Sequence, residues 1–221
     1  MKFHLLFEQS GTFKKELNKL GYIAYDYDIL NDFQQVDFQI DLFEEINSAY
    51  ERERETIFDS IAAEDQIIAF FPCVRFEDQI IMNFRGENCG MKNWDDIKKL
   101  EYDIKLQKEL CDLYSLVSKM VIVCLRKNLK LIIENPYTTQ HYLQRYWCIK
   151  PKLIDYNRRE RGDYFKKPTQ YWFINCEPKN NFILEPKVVM KKKTVNGENK
   201  VGRSMISPQY ANRFLREFVL E

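Results

Sequence analysis

Three short apolar runs, Phe3 to Phe7, Gln66 to Phe71 and Leu131 to Ile133, each stop at residues that packing explains poorly. The first ends at Glu8-Gln9-Ser10-Gly11-Thr12, the second at Pro72-Cys73 and the third at Glu134-Asn135-Pro136. Runs this short and this apolar read as buried strands. The stretches between them carry helical patterns. Phe13, Leu17 and Leu20 share one face before Gly21, Phe43 to Ala63 reads as a helix with charge pairs along Glu51 to Glu55, and Trp94 to Asn128 reads as a long helix with Asp95 and Asp96 in its first turn. Ile23 to Tyr27 adds a strand ending at Asp28, and Phe38 to Leu42 a short strand or turn. This rhythm predicts an α/β fold for residues 1–175, with a mostly parallel sheet and helices on both faces. Phe7, Asp28, Phe71 and Ile133 should then lie at one edge, where open parallel sheets place their sites.

Composition narrows the class. The chain has 221 residues, 45% of them hydrophobic and 30% charged, which suits one globular domain across 1–221 with a C-terminal helix. No run of about 18 apolar residues suggests a membrane span, and the apolar start at Met1 to Phe7 is too short for a secretory leader, so a cytoplasmic protein is expected. Six cysteines form no C-x-x-C pair and only His4 and His141 could join them, which argues against a structural zinc site. The net charge of +1 hides an asymmetry: Arg145 to Arg203 holds 15 Lys and Arg against 6 Asp and Glu, whereas the first 144 residues hold 17 against 25. A basic strip on an acidic body suits a polyanion, although two solvated faces of opposite sign account for it as well. Within the strip, Asn196-Gly197 marks a hairpin or loop at about 185–203.

The strand ends carry the chemistry. A small-residue turn around Ser10-Gly11-Thr12 lets a ligand approach the backbone and the following helix N-terminus, as an ordinary strand-to-helix turn also would. An acid at the end of the next strand, Asp28, can accept both hydroxyls of a ribose. A cysteine just past a buried strand, Cys73, can act as a nucleophile if its thiol pKa is lowered, although lone cysteines more often only pack. Glu134, held at a strand end before Asn135-Pro136, changes that balance. A thiolate and a carboxyl group on adjacent strand ends suit attack on an electron-poor ring that the acid hydrogen-bonds.

These segments resemble the DNA cytosine-5 methyltransferases, in a small phage-type branch without a large target-recognition domain. Phe7 to Phe13 is similar to the F-x-G-x-G cofactor loop, Phe71-Pro72-Cys73 to the F-P-C-Q nucleophile motif, and Glu134-Asn135-Pro136 to the E-N-V motif in its E-N-P form. Gly162 to Trp172 resembles Y-G-x-x-x-K-P-T-x-x-W, and Arg203 to Ala211 resembles R-S-x-I-P-x-x-Y-A. The five matches come in family order and span most of the chain.

The resemblance implies a Rossmann-like S-adenosylmethionine-dependent methyltransferase fold, with S-adenosylmethionine as cofactor and DNA as partner. Cys73 would add to C6 of cytosine and Glu134 would contact N3. Phe7, Ser10, Gly11, Thr12, Phe13, Asp28, Asp41 and Pro72 would hold the cofactor, with Asp28 on the ribose and Asp41 or nearby backbone on the adenine. Arg75, Asn135, Pro136, Arg159, Arg161, Lys167 and Thr169 would meet substrate or DNA.

The departures are specific. Gln9 replaces a loop glycine, Glu8 stands where a small residue is usual and would crowd the methionine end of the cofactor, and Val74 replaces the usual glutamine. Asn157-x-Arg159-x-Arg161 only mimics the spacing of Q-x-R-x-R. With no large recognition domain, such an enzyme would take single-stranded DNA, accept many sequences, or borrow a protein partner for target recognition. Two other readings stay open: a non-catalytic relative that binds nucleic acid or nucleotide, and a cysteine hydrolase pairing Cys73 with His141.

Overall fold

The computed structural model describes residues 1–185, 202 and 204–221. Most of the segment expected as a hairpin, with Asn196-Gly197, and six basic residues of the strip, Lys187, Lys191, Lys192, Lys193, Lys200 and Arg203, fall outside the described residues.

Seven strands form one sheet among the described residues. They are β1 (Phe3–Leu6), β2 (Ala24–Asp28), β3 (Phe38–Gln39), β4 (Gln66–Ala69), β5 (Lys130–Pro136), β6 (Leu153–Asp155) and β7 (Thr169–Ile174). Their spatial order is β3-β2-β1-β4-β5-β7-β6. Every neighbouring pair from β3 to β5 is parallel, and β7 runs antiparallel to both β5 and β6. The sheet is thus α/β and mostly parallel. Register lays Leu6 level with Tyr27 on one side and with Ala69 and Ile133 on the other, so these strands finish at one edge.

Period-two alternation divides the core into two layers. Leu6, Ile67, Ala69, Leu131, Ile133 and Trp172 pack on one face beneath α2 (Leu42–Glu51), α3 (Ile57–Ser60) and α5 (Asp96–Arg126). Phe3, Leu5, Ile68, Ile132 and Phe173 pack on the other beneath α1 (Thr12–Lys19) and α7 (Pro208–Phe214). Two short helices, α4 (Ile81–Phe84) and α6 (Tyr142–Tyr146), also lie among the described residues, and a single π-helical turn, Leu215–Val219, extends α7.

The helix expected across Phe43 to Ala63 is two helices. Arg52 ends α2 in a left-handed conformation, φ 61°, and Thr56 opens α3 with a capping box closed by Asp59. The charge run that reads as helix pairing instead staples the break: Arg54 reaches back to Glu45 at 2.7 Å and Glu45 accepts the amide of Ile57 at 2.8 Å. A capping box signals a helix start more strongly than pairs of charges signal continuation.

Phe214 anchors α7 through ring contacts to Phe13, Tyr171 and Phe218, with centroids 6.2, 4.4 and 5.6 Å away. Phe214→Ala should lower unfolding stability by about 3–5 kcal/mol in urea titration, with secondary structure retained at zero denaturant.

Candidate active site

Sheet topology fixes where the site lies. From β1 the chain winds outward through α1 to β2, whereas β4 lies on the other side of β1, so the winding reverses between β1 and β4. Open α/β sheets leave a crevice at such a point, beyond the strands' C-terminal ends. Here it is a cavity of about 280 Å³.

Most of the residues singled out in the sequence meet there. Phe7, Ser10, Thr12 and Phe13 line it from the β1–α1 turn, Asp28 from the end of β2, Pro72 and Cys73 from beyond β4, Glu134 and Pro136 from β5, and Lys167 from the approach to β7. Ser204, Met205 and Ile206 add a wall from just ahead of α7. Gly11 stands behind this lining as the N-cap of α1, at φ 65°, a conformation that favours glycine; a Cβ there would press on Gln35 at 3.1 Å. Phe7 is also left-handed, φ 61°, in a region where a bulky residue is strained. That turn points Glu8 back toward the first turn of α1.

Glu8 is 6% exposed. Its Oε1 accepts the Thr12 amide at 3.2 Å and the Ser10 hydroxyl, while Oε2 is buried without a partner. Burial raises its carboxyl pKa, against the two hydrogen bonds that hold it down. The carboxylate therefore caps α1 from inside the cavity wall. Asp28 is half-buried at the end of β2; burial raises its carboxyl above the usual range and the Leu30 amide, 2.8 Å from Oδ1, opposes this.

Cys73 is half-buried and free of any disulfide. Its Sγ donates to Glu77 Oε1 at 3.1 Å. Burial pushes the thiol far up, Glu77 and Glu134 push it further, and Lys167 pulls it back. A thiol in this setting is protonated at neutral pH, whereas a cysteine nucleophile of the kind expected from the sequence is more acidic. The hydrolase pairing with His141 finds no support. His141 is fully buried behind the site, where its Nε2 meets Asn135 Oδ1 at 3.1 Å.

Asn135 works in the wall. Its Nδ2 donates to the Phe71 carbonyl at 2.8 Å and to the Glu134 carbonyl at 3.0 Å. Since Nδ2 is the donor, Oδ1 accepts, and His141 carries its proton on Nε2.

The residue that sequence reasoning missed is Arg158. It is fully buried, with its guanidinium 3.7 Å from Glu134 Oε1 and 2.6 Å from Asp163 Oδ2, and it lies 4.5 Å over the Tyr210 ring. It holds Glu134 by charge from behind. The only signal in the sequence is the arginine-rich run Arg158-Arg159-Glu160-Arg161, in which the Q-x-R-x-R spacing singles out Arg159 and Arg161 instead.

Other expected residues lie outside the lining. Asp41 caps α2, its Oδ1 accepting the amides of Phe43 and Glu44 at 2.8 and 3.3 Å. Arg75 binds Glu109 on α5 at 2.6 Å. Arg161 is taken up by Asp155 and Glu217 at 3.1 and 2.9 Å. Thr169 is buried and donates to the Lys167 carbonyl at 2.9 Å, and Arg159 is half-buried in the short turn Arg158–Arg161. A larger open hollow of about 470 Å³, between α1, Arg161 and α7, contains neither Cys73 nor Glu134.

Compared with known protein families and with curated proteins, the sequence matches none. Among the described residues, no group of His, Cys, Asp and Glu could hold a metal ion, and no helix is long and apolar enough to cross a membrane.

Burial lowers His141 to about 4 from its usual 6.5. The unfolded chain binds a proton in that window that the folded protein refuses. Stability is therefore full above pH 6.5 and falls as pH drops toward 4. The loss from this group should reach about 3 kcal/mol. His141→Gln, which keeps a donor for Asn135, should flatten this part of the slope in urea titrations between those pH values.

Proposed function

We propose that the protein transfers a methyl group from S-adenosylmethionine to C5 of cytosine in DNA through a covalent cysteine adduct, on a Rossmann-like methyltransferase fold. One observation carries the reading: Cys73 and Glu134, both just past the point where the β4–β5 pairing ends, line one cavity with the Phe7–Phe13 turn and Asp28 at the topological switch point. An ordinary packing cysteine does not need a buried carboxyl group beside it.

The residues present fit the cofactor. Ser10 and Thr12 line the cavity from the turn that opens α1, Asp28 offers a carboxyl group suited to ribose hydroxyls, and Glu8 carries a buried oxygen without a partner. The cofactor when bound supplies an electrophilic methyl group. The chain's own part is to hold the ring. Cys73 approaches C6, while Glu134, fixed by Arg158 from behind, hydrogen-bonds N3 and stabilises the activated ring. A cytosine must leave its duplex stack to enter, at a cost of a few kcal/mol, which favours single-stranded DNA or a protein partner that opens and selects the target. A cytoplasmic setting suits six cysteines that form no disulfide.

The protonated state of Cys73 favours a second reading, a non-catalytic relative that binds nucleic acid or nucleotide. Calorimetry separates the two. S-adenosylmethionine should bind between submicromolar and tens of micromolar, and its failure to bind would favour the second reading. Cys73→Ser should abolish methylation, and Glu134→Gln should slow it by about 10²–10⁴-fold, with cofactor binding kept in both. DNA containing 5-fluorocytosine should trap an adduct with the wild type; equal trapping by Cys73→Ser would refute the assignment.

A further inference from the structure

We propose that Glu77 is the base that takes the thiol proton of Cys73 as its sulfur adds to a pyrimidine ring. The inference rests on the cytosine reading above and goes beyond it, since nothing in that reading says where the proton goes. The geometry is direct: Sγ donates to Oε1 of Glu77 at 3.1 Å. Glu77 stands at the N-cap of the short turn Asp78–Ile80, four residues after Cys73, and belongs to none of the five motifs.

Physical chemistry requires such an acceptor. Cys73 is surrounded by buried apolar surface and by two carboxyl groups, so free thiolate is scarce near neutral pH. A thiol held in this state attacks only if its proton leaves as the carbon–sulfur bond forms. Glu134 is the other carboxyl group in reach of the ring, but its part is to give a proton toward N3, and it is held by Arg158 on the side away from the cavity. Lys167 offers only donors. Glu77 therefore serves the sulfur and Glu134 the ring nitrogen.

The step balances. The S–H bond breaks and its proton passes to Glu77 Oε1. The sulfur's electron pair forms the bond to C6. The C5–C6 π electrons move into the ring, where a proton from Glu134 at N3 holds them. When the addition reverses, the S–C6 bond breaks, the C5–C6 double bond returns, N3 gives its proton back to Glu134, and Glu77 gives its proton back to sulfur. No oxidant or reductant takes part.

Glu77→Gln separates this role from a structural one, because two reactions of the same sulfur should move apart. The first is adduct formation with single-stranded DNA containing 5-fluorocytosine, in the presence of S-adenosylmethionine. Without the base it should slow by about 10²-fold. The second is alkylation of Cys73 by iodoacetamide, followed by peptide mass spectrometry so that exposed Cys89, Cys111 and Cys148 do not interfere. That reaction needs only thiolate, which loss of the neighbouring negative charge favours, so its rate should hold or rise. Glu77→Asp, which restores a basic oxygen, should recover adduct formation to within tenfold of wild type. A loss of adduct formation below tenfold in Glu77→Gln overturns the proposal, as does a parallel fall in both reactions, which would mark a merely structural contact. No adduct with the wild type would overturn the cytosine reading itself and this proposal with it.

Discussion

The side-chain amide of Asn135 ties the end of β5 to the end of β4. Its Nδ2 holds the Phe71 carbonyl one residue before Pro72-Cys73, and its Oδ1 is held by His141. In a parallel sheet the ladder hydrogen bonds stop where the strands stop, and the chain beyond them is free to splay. Here a buried amide continues the pairing by one step, with both of its polar ends satisfied. The relative position of Cys73 and Glu134 depends on that step, as does the shape of the cavity between them. A neutral imidazole suits the role because a charged one would have to be desolvated at full cost.

Behind Glu134 the structure maintains an expensive arrangement. A fully buried guanidinium is surrounded by Glu134, Asp163 and Tyr210, while the Tyr210 hydroxyl meets Tyr171 at 2.6 Å and donates to Asp155 at 3.2 Å. Replacing buried ion pairs by well-packed apolar residues often stabilises a protein, so a network of this kind is weak support for stability alone. Its geometry gives another return: it fixes a carboxyl group at the cavity wall. Gly162 is part of the same device. It lies at φ 89° so close to Gln209 that a Cβ would come within 2.7 Å of that side chain, and its carbonyl accepts the Ser207 hydroxyl at 2.7 Å.

How much of this the sequence displays varies by residue. Short apolar runs broken by glycine, proline and acid mark β1, β4 and β5 unambiguously, and because parallel strands share a polarity, the residues after them had to gather at one edge. Asp28 and the Ser10-Gly11-Thr12 turn obey the same logic. Arg158 does not, because its meaning is long-range: nothing within a few residues distinguishes it from Arg159 or Arg161, and only the folded chain brings Glu134 and Asp163 to it. Asp41 illustrates the converse, since an acid before Leu42-Phe43-Glu44 is also a standard helix cap. The strand β7 overlaps the motif-like residues Gly162 to Trp172 and is buried at all six positions, so no alternation marks it, and β6 is only three residues long. Glu77 carries no local signal at all.

The two outermost helices of one sheet face come from opposite parts of the chain. Asn212 on α7 donates to Glu16 on α1 at 3.1 Å, across 196 positions of sequence. Until Tyr210, Phe214, Leu215 and Phe218 have been synthesised, only α1 covers the face of Phe3, Leu5, Ile68, Ile132 and Phe173, and the cavity lacks its wall at Ser204 to Ile206. Translation adds about 5–20 residues per second, so the part of that apolar face covered by α7 waits for several seconds after β7 is made. The wall at Ser204 to Ile206 thus joins the site only after every strand of the sheet has been made.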